Sequence, residues 1–376
     1  MSIQEYVTKK KQLYKYFLDF VECEGNYEED FENLLECLDD ENIRKDRNEL
    51  KEFLKMLVCI VDNHKRGPNF ILKVEKLLTN LQQDIKRSYS NSEIFEIFGN
   101  CKRILYFLAE SGIFKFDKYY SELILNDDFM REDYGFYFFI FIKPYVEKQM
   151  CNFIHGEVMK VQDYETASFR RNLSRGENEN VLCEMIRNDS IGDFIKYVSS
   201  EEVFLTGKVK HSLFETHKLL QQRQASLIEY AAFFGSVEIF RYLVKNDCRL
   251  RGSLWLYAIH GRNSEIIQIL EEKKVEPTDR TYRECVYEAI RCHHNEIKDY
   301  LQENKISRDT RFDDKYNKVI LKSRNYCFFP EKIIDRLIFF SLCNYNYIGL
   351  VRLLLKETAI NQDINSPIIL NKNNRL

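Results

Sequence analysis

Cys285, Cys292, His293 and His294 are the densest set of thiol and imidazole side chains in the 376-residue chain. Structural zinc sites draw on ligands paired at C-x2–4-C or H-x3–5-H spacing, and neighbouring residues on one helix point to different faces. Because no second pair accompanies these four, no metal and no cofactor is expected. A metal protein or enzyme centred on Cys285, Cys292 and His293 stands as one alternative. His155-Gly-Glu157 matches the H-x-E of zinc deaminases, but none of the five prolines is followed by cysteine, so the P-C-x-x-C half is missing. Nucleophile-elbow, H-E-x-x-H, dinucleotide and phosphate-loop motifs are absent as well. Carboxylate pairs such as Glu29-Asp30 and Asp39-Asp40 stand among other charges, where a solvated helix end fits better than acid–base catalysis. The chemistry-bearing residues thus predict no enzyme.

Composition narrows the architecture that must carry these residues. Glycine (13) and proline (5) are scarce, well below the roughly 12% an average chain carries, which disfavours turn-rich β-sandwiches and glycine-cradled nucleotide folds. Hydrophobic residues make up 44% and charged residues 31%, and the segments rich in leucine, lysine and glutamate favour helices. A net charge of −3, with basic clusters as short as Arg170-Arg171, predicts no nucleic-acid partner. The eleven cysteines include no C-x-x-C and are odd in number, which predicts reduced, mostly buried thiols. The N-terminus meets charge before it can build an apolar signal core, and the longest apolar run, 135–142 (GFYFFIFI), is far short of the ~20 residues a bilayer span needs. The expected location is cytoplasmic, with no membrane span.

Helical periodicity predicts helices over 5–22, 28–38, 47–61, 71–86, 92–110 and 119–125, and an aromatic segment around 136–150 that kinks or begins at Pro144. The stripe Leu50, Phe53, Leu54, Leu57, Val58, Val61 is typical: one face buried, the other solvated. Residues 166–180 (TASFRRNLSRGENEN) offer only Ala167, Phe169 and Leu173 for burial and read as a polar linker, with a solvated helix plus loop as the alternative. The domain expectation is an all-helical region over 1–165, a linker over 166–180 and a repeat domain over 181–376.

The repeats carry the second half. Residues 226–244 (SLIEYAAFFGSVEIFRYLV) align without a gap on 253–271 (SLWLYAIHGRNSEIIQILE), an offset of 27 residues. Further copies fall near 181–199, 282–304 and, more loosely, 335–360. Each reads as two short helices around a tight turn, a hairpin that buries its apolar face only by stacking on a neighbour. Ala231 and Ala258 suit the closest helix approach, and Gly235 a left-handed turn. These residues resemble ankyrin repeats, keeping the opening serine, the Ala-Ala pair, the glycine and the leucine-rich second helix of that consensus while lacking its proline and histidine. Together with 176–198 and Ser212-Leu-Phe-Glu-Thr216, they look like a family of divergent ankyrin proteins expanded in unicellular parasites, which carries a domain-of-unknown-function label. The resemblance implies an all-α protein, a helical N-terminal region followed by an ankyrin-like solenoid, with no catalytic residues to transfer. Residues 92–112, with Gly99 and a terminal Glu110-Ser-Gly112, read either as another degenerate copy or as one amphipathic helix ending at glycine.

In ankyrin arrays the end of the first helix and the following turn line a concave face. The residues at those positions here are Phe233, Phe234, His260, Arg262, Arg291 and His293, which become the candidate partner-binding set. The functional expectation is a non-enzymatic scaffold that binds an unidentified protein partner through that face. A self-associating structural protein, using 137–142 as its dimer surface, is the other alternative.

Overall fold

The computed structural model describes residues 2–67, 69–145, 166–307, 312, 314–330 and 336–356. Among them the chain is all-helical; the sole β feature is an isolated antiparallel bridge between Lys208 and Ser226. No described helix is long and apolar enough to cross a membrane. Two compact units emerge, Met1–Met56 with Arg311–Leu376, and Leu57–Thr310, so the contacts divide the chain at points other than 165 and 181.

In the first unit, helix Ile3–Glu22 is capped by a reciprocal Ser2–Glu5 box and buries Tyr6, Leu13, Tyr14, Phe17 and Val21 at helical spacing. It packs on Glu28–Asp40 and Ile348–Lys356. The Tyr6 hydroxyl donates to Glu49 and Glu52 at 3.0 Å each, and Glu52 also accepts the Gly349 amide at 2.9 Å. Glu52 is therefore a buried carboxylate satisfied by a hydroxyl and a backbone N–H, the condition for tolerating such a group in a core.

The second unit contains four consecutive helix pairs: Val181–Arg187 with Ile191–Ser200, Leu227–Phe234 with Val237–Lys245, Leu254–Gly261 with Ser264–Glu272, and Arg283–Arg291 with Asn295–Asn304. The first helix of each pair packs on the first helix of the next. Between the two helices of each pair one residue is left-handed: Asp189, Gly235, Arg262 and His293, with Asn346 doing the same between Arg336–Asn344 and Ile348–Lys356 of the first unit. Only one of those five is glycine, although a side chain in that conformation costs roughly 1–2 kcal/mol. The repeat is thus written in the backbone more regularly than in the residues.

Several sequence expectations are corrected. The 166–180 stretch is not a linker: Thr166 caps helix Ala167–Arg175, Gly176 closes it at φ +63°, and Phe169 and Leu173, one helical turn apart, are fully buried. The hydroxyl of Tyr137 donates to the Leu173 carbonyl, fixing the helix to the aromatic segment. That segment is largely interior, with Tyr137, Phe138, Phe139 and Ile142 fully buried and Ile140 and Phe141 half-buried. Residues 92–110 are two helices, Asn91–Phe98 and Lys102–Glu110, and 71–86 likewise divides at Leu81. His155 and residues 146–150 of the aromatic segment lie outside the described residues.

Candidate functional site

Five of the seven histidines, His64, His217, His260, His293 and His294, gather in the second unit at the ends of the first helices of the third and fourth pairs, all of them buried. Helix Arg47–Asn63 delivers His64, whose Nδ1–H donates to the Cys292 carbonyl at 2.7 Å. His294 Nδ1–H donates to the Ile259 carbonyl at 2.8 Å, and its ring meets His64 edge-on at 4.9 Å. Burial holds His217, His293 and His294 well below the usual imidazole range, so these rings are neutral.

At the centre stand His260, Glu288 and Cys292. Helix Leu254–Gly261 supplies the first, helix Arg283–Arg291 the second, and Cys292 caps that second helix. His260 Nε2 is 2.5 Å from Glu288 Oε1, so the ring nitrogen donates to the carboxylate. Burial would raise the Glu288 carboxyl, but the His260 hydrogen bond and the Arg291 guanidinium outweigh it and hold the group down at about 2. Cys292 Sγ lies 3.3 Å from Nδ1 and 3.5 Å from Nε2 of His260. A sulfur nearly equidistant from both nitrogens is off the lone-pair axis of either, which is not the line along which an imidazole removes a thiol proton. Burial pushes the Cys292 thiol well above its ordinary range, with Glu288 adding to the effect, and the residue has no exposure at all. A nucleophilic thiolate would need the opposite environment.

Of the candidate partner-binding residues, the structure brings Phe233 and His260 together, stacked at 5.0 Å with 27° between their planes. His217 covers both, edge-on at 4.6 Å from Phe233 and 4.7 Å from His260. Phe233, His260 and His293 are therefore interior, and the face expected to receive a partner there is filled by the chain itself. Phe234, Arg262 and Arg291 remain partly exposed. Phe234 packs on Tyr230 at 4.8 Å, Arg291 is tied to Glu288, and Arg262 Nε pairs with Glu296 at 2.5 Å. Cys285 is buried at the start of helix Arg283–Arg291 and does not join the His260 group.

Sequence reasoning missed Glu288, although it stands one turn before Cys292 on the same helical face. It also missed His64 and His217, which no repeat alignment could reach. Among the described residues, two of the open surfaces in this unit are large enough to receive a ligand or partner. A cleft of about 970 Å³ is lined by Lys102, Asp133, Tyr134, His211, Thr216 and Gln221 among others. Its polar groups are turned on one another: Lys102 pairs with Asp133 and sits 5.4 Å over the rings of both Tyr134 and Tyr137, and Thr216 donates to the Gly176 carbonyl. Burial pulls the Lys102 ammonium down, against the opposing pull of Asp133. The second surface is a groove of about 520 Å³ between helices Ser264–Glu272 and Asn295–Asn304. Ile267, Ile297 and Tyr300 form its apolar floor, and Arg262, Gln268, Glu271 and Glu296 its rim. No family model, curated protein or solved structure matches the chain.

Proposed function

We propose that the protein is a non-enzymatic interaction module, a divergent ankyrin-type stack of helix pairs, that binds a protein partner along the groove between the second helices of the third and fourth pairs. The ankyrin reading is supported by the repeated left-handed turns and by the packing of first helix on first helix. One observation carries the choice of surface. The first-helix face is sealed by His64 and His217, whereas the groove beside the buried Ile267 and Ile297 leaves Tyr300 37% exposed. An apolar floor with a polar rim is the anatomy of a protein interface, and a tyrosine in that floor is a residue type that anchors one. The Tyr300 hydroxyl donates to Glu271 at 2.7 Å and Lys305 pairs with Glu271 at 2.8 Å, so the ring is already held in place and loses little freedom on binding. The sealed thiol at Cys292 supports the absence of chemistry.

The test is affinity capture from native extract with wild-type protein and with Tyr300→Ala combined with Gln268→Arg, at matched helix content. The reading requires a stoichiometric partner that the double variant loses. Equal capture by both proteins would move the interface elsewhere.

A further inference from the structure

We propose that His260, Glu288 and Cys292 form a binding site for a transition-metal dication of the zinc class, joining the third helix pair to the fourth. The argument begins from what the side chains offer. An imidazole nitrogen, a carboxylate oxygen and a sulfur, contributed by two neighbouring repeats, lie within 4.8 Å of one another. Their separations are 2.5 Å for Nε2 to Oε1, 3.5 Å for Sγ to Nε2 and 3.9 Å for Sγ to Oε1. Around tetrahedral zinc, bond lengths of about 2.0–2.1 Å to nitrogen and oxygen and about 2.3 Å to sulfur place the same atoms roughly 3.3–3.5 Å apart. Forming the site takes a carboxylate shift of about 1 Å and a rotamer change of Cys292 that carries Sγ from its place beside both ring nitrogens of His260 toward the Nε2 lone pair.

Charge and surroundings agree with the distances. A carboxylate and a thiolate neutralise a dication, so the buried site holds no net charge of its own. On binding, Cys292 loses its thiol proton to solvent, a metal–sulfur bond replaces the S–H bond, and the imidazole proton moves from Nε2 to Nδ1. Sulfur and imidazole ligands select zinc, cobalt or a similar ion over calcium or magnesium, which take oxygen. Outer contacts fix the ligands: Arg291 holds the second Glu288 oxygen, and His64 holds the carbonyl of Cys292 itself. His217 is not a ligand despite its proximity. Its Nδ1 accepts the Leu219 amide at 3.3 Å, which leaves its proton on Nε2 and no lone pair there to give. Three protein ligands leave the fourth position to water. The site is independent of the groove, since its metal would fix two repeats together without touching a partner.

Full-length protein, stripped with chelator and titrated with Co²⁺, tests the assignment. One equivalent should bind with sub-micromolar affinity, giving the visible bands of tetrahedral cobalt and a near-ultraviolet thiolate-to-cobalt band. Cys292→Ser should lose that band and at least about ten-fold in affinity, and Cys285→Ser should keep both. Should Cys292→Ser fail to fold, the wild-type midpoint decides: stoichiometric Zn²⁺ should raise it by a few degrees over the chelated protein. A wild-type spectrum without tetrahedral bands, a Cys292→Ser spectrum like the wild type, or an unchanged midpoint would each overturn the site.

Discussion

Gly261 lies so close to the backbone of Ala232 that a β-carbon on it would stand 2.0 Å from the Ala232 carbonyl oxygen and 2.9 Å from the Gly235 amide nitrogen. The second and third helix pairs meet here with nothing between them but main chain. Gly261→Ala should therefore cost about 3 kcal/mol, at the upper end for overpacking, because backbone cannot yield as a flexible side chain does. Gly192→Ala is the control: it sits in helix Ile191–Ser200 with nothing within 4 Å of the added carbon, and should be neutral or stabilise by about 0.5–1 kcal/mol. Urea unfolding of the two variants, compared with wild type at constant m-value, checks both.

The adjacent phenylalanines should separate in the same assay. Phe233 is buried between His217 and His260, so Phe233→Ala should cost about 3 kcal/mol. Phe234 is half-buried, with Tyr230 on one side and the Arg187 guanidinium 5.9 Å from its ring, so Phe234→Ala should cost about 1 kcal/mol. Similar losses for both would place Phe234 in the core too.

These two positions show what the sequence could and could not reveal. Helix Ile3–Glu22 and the turn at Gly235 were legible, because an eight-residue apolar stripe and a lone glycine each have one local meaning. The division at Gly99–Cys101 was only half legible, since Gly99 fits the turn of a degenerate two-helix copy while the apolar spacing runs on through it and equally reads as one helix. The burial of Phe233 was left open for another reason, packing between repeats and exposure on the concave face both fitting its position. It depends on His217, in a segment between the first and second pairs that no repeat copy includes, and only tertiary packing brings the two together. Cys292 was visible as a ligand type, but its partner His260 is 32 residues away, beyond any spacing rule for paired ligands.

Glu215 gives the pH dependence. It is buried beside Arg66, 3.5 Å away, and accepts the His217 amide, while its second oxygen has no partner. Burial raises its carboxyl above the ordinary 4.5, and Arg66 and the amide do not fully offset this. A raised carboxyl binds its proton in the native state where the unfolded chain has released it. Stability should therefore fall as pH rises from about 4.5 through the native value, and Glu215→Gln should flatten that slope. Chemical unfolding at closely spaced pH values reads the effect; an identical slope in Glu215→Gln would assign it to another group.

The most direct measurement of the central claim is photo-crosslinking in native extract, with a photoreactive amino acid placed in turn at Gln268, at Tyr300 and at Phe204. Gln268 and Tyr300 belong to the groove, whereas Phe204 is 84% exposed on a loop away from it. The account predicts one discrete protein adduct from both groove positions and none from Phe204. Adducts from Phe204 alone, or the same pattern from all three positions, would contradict binding along the groove.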